Sequence, residues 1–146
     1  MPENAWPSIA GRIRNGIHIM PIRIYFEDTD AGGVVYHARY VAFCERARSD
    51  FLRLLGIHQS TFEDCNFVVR RMVCDFLRPA RLDDLLEVHT GFVDMGGARI
   101  ELRQEVMLNG NTMFKADVTV ALVDGRGRPK RLPESMADRF RHMPES

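Results

Sequence analysis

The chain has 146 residues, the size of one ordinary domain, which predicts one hydrophobic core and no appended module. Its 20 basic and 20 acidic residues cancel, which argues against a general nucleic-acid binder, since that class carries a basic excess. With 45% hydrophobic and 27% charged residues it has the composition of a folded soluble protein rather than a disordered one.

Lys115 and Lys130 are the only lysines, so nearly all positive charge is arginine, the better fork for phosphate and carboxylate. No apolar run approaches the roughly twenty residues needed to span a bilayer. Met1 to Met20 carries Glu3, Arg12, Arg14 and His18, unlike a secretory signal. Cys44, Cys65 and Cys74 are odd in number and lack C-x-x-C spacing, which fits reduced thiols in a cytoplasmic chain.

Residues 1–16 read as a loosely ordered lead-in to one domain over 17–142. Ile17 to Tyr25 leans to a strand through Ile17, Ile19, Ile22 and Ile24. The run Glu27-Asp28-Thr29-Asp30-Ala31-Gly32-Gly33 is dense in turn formers and must end it. From about Ala38 the period changes. Tyr40, Phe43, Ala47, Phe51, Leu54 and Leu55 recur at three- and four-residue steps, with Arg39, Glu45, Arg46, Arg48 and Asp50 facing elsewhere. This predicts a helix of about five turns, stopped by Gly56. Glu45, Arg46 and Arg48 then form a charged face or a subunit contact, and His58 to Asp64 can add a short turn.

Beyond Cys65 the pattern is β. Strands are expected over Phe67–Leu77 and Leu85–Val93, then a turn at Met95-Gly96-Gly97-Ala98. Ile100 to Val106 leads to Asn109-Gly110, a strong hairpin signal, and Phe114 to Leu122 alternates cleanly. Pro133 to His142 suggests a short terminal helix. Short links demand antiparallel neighbours, and one amphipathic helix on one antiparallel sheet is an α+β two-layer domain.

The chemistry concentrates between first strand and helix, where three acids, two glycines and His37 fall together. A structural reading makes Asp28 and Asp30 shapers of the turn and partners of the helix dipole, with His37 a surface residue. A calcium loop would use Asp28, Asp30 and Gly33, but Arg39 stands where that loop needs a bidentate glutamate. A catalytic reading uses backbone N–H groups at the helix start to polarise a carbonyl, with Asp30 facing it as nucleophile or base. No G-x-S-x-G is present, and Cys44 falls inside the helix.

The run Y-F-E-D-T-D-A-G-G-V-V-Y-H-A-R-Y-V-A-F-C-E-R-A-R from Tyr25 to Arg48 resembles the hotdog-fold acyl-CoA thioesterases of the 4-hydroxybenzoyl-CoA thioesterase type. Within that family it is most similar to the branch associated with the Tol–Pal cell-envelope system. The likeness continues through Phe67-Val68-Val69-Arg70 and Pro79-Ala80-Arg81-Leu82-Asp83-Asp84.

The resemblance implies an antiparallel sheet wrapped around one long helix, Asp30 as the catalytic carboxylate, and amides near Gly33, Tyr36 and His37 receiving the thioester oxygen. His37 would orient water or substrate. It implies an acyl-CoA or acyl-carrier-protein thioester as substrate, no metal or other cofactor, no nucleic acid, possible contact with the envelope machinery, and a homodimer or dimer of dimers. CoA phosphates would meet a basic turn, here reduced to Arg99, with Arg70, Arg71, Arg126 and Arg128 as further candidates. Met72, Cys74 and Phe76 would be core or acyl-pocket lining. Two rival classes are a non-catalytic module binding acyl carriers or envelope partners, and a hotdog dehydratase using a histidine–acid pair.

Overall fold

A computed structural model describes residues 9–57 and 65–145. Six strands run as β1 (Arg12–Arg14), β2 (Ile17–Arg23), β3 (Cys65–Phe76), β4 (Leu85–Gly96), β5 (Arg99–Leu108) and β6 (Asn111–Asp124), with helices α1 (His37–Leu54) and α2 (Glu134–Arg141). They form one antiparallel sheet in the order β1-β2-β4-β5-β6-β3. The expected α+β class and hotdog architecture are both found, with α1 laid across β1, β2, β4 and β5. The extra turn expected over 58–64 lies outside the described residues.

The helix forms where its period predicts. Tyr40, Phe43, Cys44, Ala47, Phe51 and Leu52 are buried along one stripe. Each large apolar side chain so buried contributes roughly 1.5–3 kcal/mol of hydrophobic stabilisation. Leu55 caps the helix and Gly56 follows at φ +78, where a Cβ would be strained. Arg48 breaks the expectation of a charged outer face: it is buried with the apolar stripe, because Gln104 reaches across from β5 to accept its N–H. The α2 helix buries Met136, Ala137 and Phe140, and Phe140 packs on Phe51 and Phe92.

The β5–β6 hairpin turns on Asn109 (φ 50) and Gly110 (φ 81), the two left-handed residues an Asn-Gly turn supplies. The same dipeptide at Asn15-Gly16, with φ 53 and 75, joins β1 to β2. The stretch expected as a loose lead-in is therefore partly ordered: Arg12–Arg14 pairs with Ile17–Ile19, and Ile13 is buried.

Strand β3 is the far edge of the sheet and is bonded on one side only, to β6. It carries exposed Val68, Val69, Val73 and Phe76. The helix packs chiefly toward the opposite edge, and two cavities lie along the seam between α1 and β3. Among the described residues no helix is long and apolar enough to cross a membrane, and Cys44, Cys65 and Cys74 are free thiols.

Candidate active site

The connection from β2 to α1 is a small hairpin. Thr29 pairs with Val35, Asp30 N–H donates to the Val34 carbonyl at 2.9 Å, and Gly33 N–H donates to the Asp30 carbonyl at 3.0 Å. Gly33 sits at φ +80, which closes the turn at a conformation glycine adopts without cost. Val35 N–H donates to the Ala80 carbonyl at 2.8 Å, and Ile24 exchanges backbone bonds with Asp83 and Asp84. The Pro79–Asp84 segment, distant in sequence, thus holds the acidic turn in place.

The three acids of this turn separate into two roles. The Asp28 side chain is buried, and its carboxylate accepts Tyr25 N–H at 2.9 Å, Arg39 Nε at 2.8 Å and Arg39 Nη2 at 2.7 Å. Its carbonyl also accepts Tyr36 N–H at 2.9 Å. Asp28 therefore ties the turn to the first turn of α1. Exposed Glu27 lies 3.5 Å from the same guanidinium. Asp30 is exposed and makes no ion pair among the described residues; only Gly32 N–H, at 2.8 Å, reaches its Oδ1, so Oδ2 is unengaged. The two aspartates point to different partners, so they do not converge as a calcium loop requires, and no group of three metal-ligating side chains occurs among the described residues.

At the start of α1 Tyr36 provides no side-chain cap, and the first turn holds no acid. Of the amides expected to receive an oxyanion, those of Gly33 and Tyr36 are spent on Asp30 and Asp28. His37 N–H has no acceptor among the described residues, and Ala38 N–H joins it as a donor that sequence reasoning missed. Such uncapped donors, at the positive end of the helix dipole, suit a developing negative oxygen.

The His37 ring lies 4.7 Å from Tyr36 and edge-on to Phe76 at 5.9 Å, centroid to centroid. It has no carboxylate partner among the described residues, so no histidine–acid pair of the kind a dehydratase uses is formed among them. His37, Tyr40, Phe76, Leu77 and Arg78 line an open groove of about 220 Å³. Phe76 meets Tyr40 edge-on and Phe114 at a tilt, and Ala80 N–H bonds the Tyr40 hydroxyl at 3.0 Å, which fixes the groove wall. Burial raises the pKa of the Tyr40 hydroxyl. Arg78 is a second residue that sequence reasoning missed; the strand-ending Leu77-Arg78-Pro79 is the signal that could have found it.

The candidate arginines lie elsewhere. Arg70 and Arg71 sit at the bulge of β3, and the Arg99 register partner on β6 is Ala121, which also pairs with Val68. Arg99 Nη2 is 3.6 Å from Asp94, while its Nη1 is buried without a partner among the described residues. Five residues of extended strand, about 17 Å, separate Arg71 from Phe76. Within one chain these arginines are not brought to Asp30 and His37. Arg126 and Arg128 are held by their amides to Asp124 in the following loop.

Residues 32–125 match the family model described as the Thioesterase superfamily. The chain is 45% identical over 127 residues to the acyl-CoA thioesterase YbgC of Haemophilus influenzae, covering 84% of this chain and 93% of that protein. A probable thioesterase from Bartonella henselae is similar in structure, with TM-score 0.78 and 41% identity, covering 80% of this chain and 99% of that one. A Thermus thermophilus thioesterase solved with coenzyme A and zinc aligns with TM-score 0.74 and 28% identity, over 85% and 97% of the two chains.

Proposed function

The chain belongs to the thioesterase superfamily, and on that premise we propose that it hydrolyses acyl-CoA thioesters to free acid and CoA, with Asp30 as the reacting carboxylate. The observation that carries this is the unequal fate of the acids. Arg39 takes up Glu27 and Asp28 and leaves Asp30 exposed beside a helix start with unspent N–H groups. The names of its relatives supply the substrate class.

The thioester oxygen would accept from His37 and Ala38 N–H, and the acyl group would lie along the groove of Tyr40 and Phe76. Two routes use this placement. Asp30 Oδ2 can attack the carbonyl carbon, expelling the CoA thiolate and leaving an acyl-aspartyl anhydride that water cleaves. It can instead take a proton from water as that water attacks. A carboxylate is a weak base but needs only position to act as a nucleophile. Single turnover in heavy-oxygen water tests the anhydride route: label appearing in the Asp30 carboxyl marks the anhydride and rules out direct hydration as the sole path.

The bare edge of β3 supports a homodimer, itself the unit of a dimer of dimers. Antiparallel pairing of two β3 edges about their middle would set Arg70 and Arg71 of the two copies together at the seam and bring the Arg99 side of one copy toward the Phe76 end of the other, where Arg78 already stands. CoA phosphates would then be held across the interface. The same reading puts the chain in the cytoplasm, in the branch associated with the Tol–Pal envelope system; the long signature from Tyr25 to Arg48 supports that branch.

Release of free thiol from short, medium, long-chain and aromatic acyl-CoAs and from acyl-carrier-protein thioesters tests the activity. Hydrolysis above the buffer rate for at least one acyl-CoA is expected. Absence of thiol release across the panel would favour the binding-module reading, and a 2-enoyl product from 3-hydroxyacyl-CoA would favour the dehydratase.

A further inference from the structure

Tyr40 follows His37 by three residues on α1, so the two share a helix face, and both line the groove at the candidate site. Only 4% of Tyr40 is exposed. Its ring stacks on Phe114 at 5.2 Å and meets Phe43 and Phe76 edge-on, which fixes its plane. Helical side chains lean toward the N-terminus, so the hydroxyl reaches back about one turn, roughly 5.4 Å, toward the start of α1.

Ala80 locates the hydroxyl. Its N–H donates to the Tyr40 oxygen at 3.0 Å, and its carbonyl accepts Val35 N–H at 2.8 Å. Ala80 adjoins the antiparallel bridge of Val34 with Arg81, and a residue in such a ladder presents its N–H and carbonyl on the same side. The hydroxyl therefore lies level with Val35, ahead of the first helical residue. Val35 and Pro79, which flank this contact, line the groove as well. The Ala80 bond uses the hydroxyl as an acceptor only. A phenol has one proton to donate, directed away from the lone pair that accepts, and this proton has no acceptor among the described residues. A buried donor of this kind calls for a partner. Burial raises the hydroxyl's pKa against the lowering effect of the Ala80 bond, and Asp84 adds to the rise, so the proton is in place at neutral pH.

We propose that the Tyr40 hydroxyl is a catalytic donor to the thioester oxygen, completing with the His37 and Ala38 N–H groups the cradle for the charge that develops there. This rests on the reading that the acyl carbonyl sits at the start of α1. When Asp30 or water bonds the carbonyl carbon, the C=O electron pair moves to oxygen, where the two N–H groups and the O–H hold it. Its return expels the CoA thiolate, and Tyr40 keeps its proton throughout. The helix fixes the amides and Ala80 fixes the phenol, so all three donors are set before substrate arrives, the condition under which such donors act most strongly.

Infrared difference spectroscopy of a ketone analogue of acyl-CoA, with methylene in place of sulfur and an isotopically labelled carbonyl, reads the donors directly. Tyr40→Phe should move the bound C=O band to higher frequency. Fluorotyrosine in place of Tyr40 keeps the shape and the Ala80 bond, so it preserves the fold even if the Phe variant does not. As the stronger donor it should move the band lower, and raising the pH until the phenol ionises should undo that shift. A phenolate accepts Ala80 N–H more strongly than a phenol, so a hydroxyl that served only to hold Ala80 would show no such reversal. In steady state Tyr40→Phe should lower kcat about hundredfold with KM little changed, and kcat of the fluorotyrosine enzyme should fall as its phenol ionises. Failure of the analogue to bind, a band unmoved in Tyr40→Phe, or one indifferent to ionisation of the fluorotyrosine would overturn the assignment. Thiol release by wild type is scored separately. A shifting band without thiol release refutes hydrolysis and keeps the donor; thiol release with an unmoved band refutes the donor and keeps hydrolysis.

Discussion

Arg39 decides which acid of the turn is left without an ion pair among the described residues. It bonds Asp28 through two nitrogens and lies beside Glu27, and nothing else in the described chain offers Asp28 a countercharge. Asp28→Asn would leave the half-buried guanidinium poorly matched and should destabilise the fold by about 2 kcal/mol, a value reduced for the solvent that reaches Arg39. Thermal or urea unfolding measures this. His18 behaves differently. It is buried on β2, its Nε2–H donates to the Ala10 carbonyl at 2.6 Å, its Nδ1 has no partner among the described residues, and its ring stacks on Phe51. Burial lowers its pKa from the ordinary 6.5. The unfolded chain therefore binds the proton more readily, so this contribution is complete above about pH 6.5 and is lost as pH falls toward the folded value. His18→Gln should flatten the decline in melting temperature between about pH 7 and pH 5 relative to wild type; an unchanged slope would contradict it. At this scale the sequence was readable where geometry is local, as in the Asp30–Gly33 turn. The burial of Arg48 was not, because the glutamine that receives it comes from β5, more than fifty residues away.

The elements themselves follow from punctuation and period. Gly56 stops α1 at φ +78, and a Cβ there would also press on Arg139 Nη1, which bonds the Leu55 carbonyl at 2.8 Å and so ties α2 to the end of α1. Gly56→Ala should cost about 1–2 kcal/mol and lower the melting temperature by roughly 3–6 °C, as differential scanning calorimetry would register. The α1 stripe and the alternation of β6 were legible because one buried face imposes its period on the residues. Strand β1 was overlooked although Asn15-Gly16 carries the same turn signal as Asn109-Gly110. Only three residues follow the pattern, and Ile13 alone marks the core. The position of β3 at the sheet edge had no local signature either. Its pairing with β6 joins segments some fifty residues apart, and that register is set by tertiary packing.

For the whole molecule, an edge strand of twelve residues bearing exposed valines is a surface that soluble proteins cover or charge. If two copies pair there, Val73→Glu should shift the sedimentation velocity profile from dimer or tetramer to monomer, and hydrolysis should fall with it. A profile unchanged by the substitution would place the interface elsewhere. The zero net charge conceals a local separation, with one acid left unpaired at the turn and Arg70 and Arg71 together at the middle of β3. That separation was visible in the sequence only as a motif; the pairing of Arg39 with Asp28 is what sets the acids apart in the fold. The most direct measurement is the steady-state rate of acyl-CoA hydrolysis by Asp30→Asn beside wild type, with circular dichroism confirming that both are folded. A loss of about hundredfold or more in kcat is expected for removal of the reacting carboxylate. Hydrolysis by the folded Asn variant at the wild-type rate would contradict the assignment of Asp30.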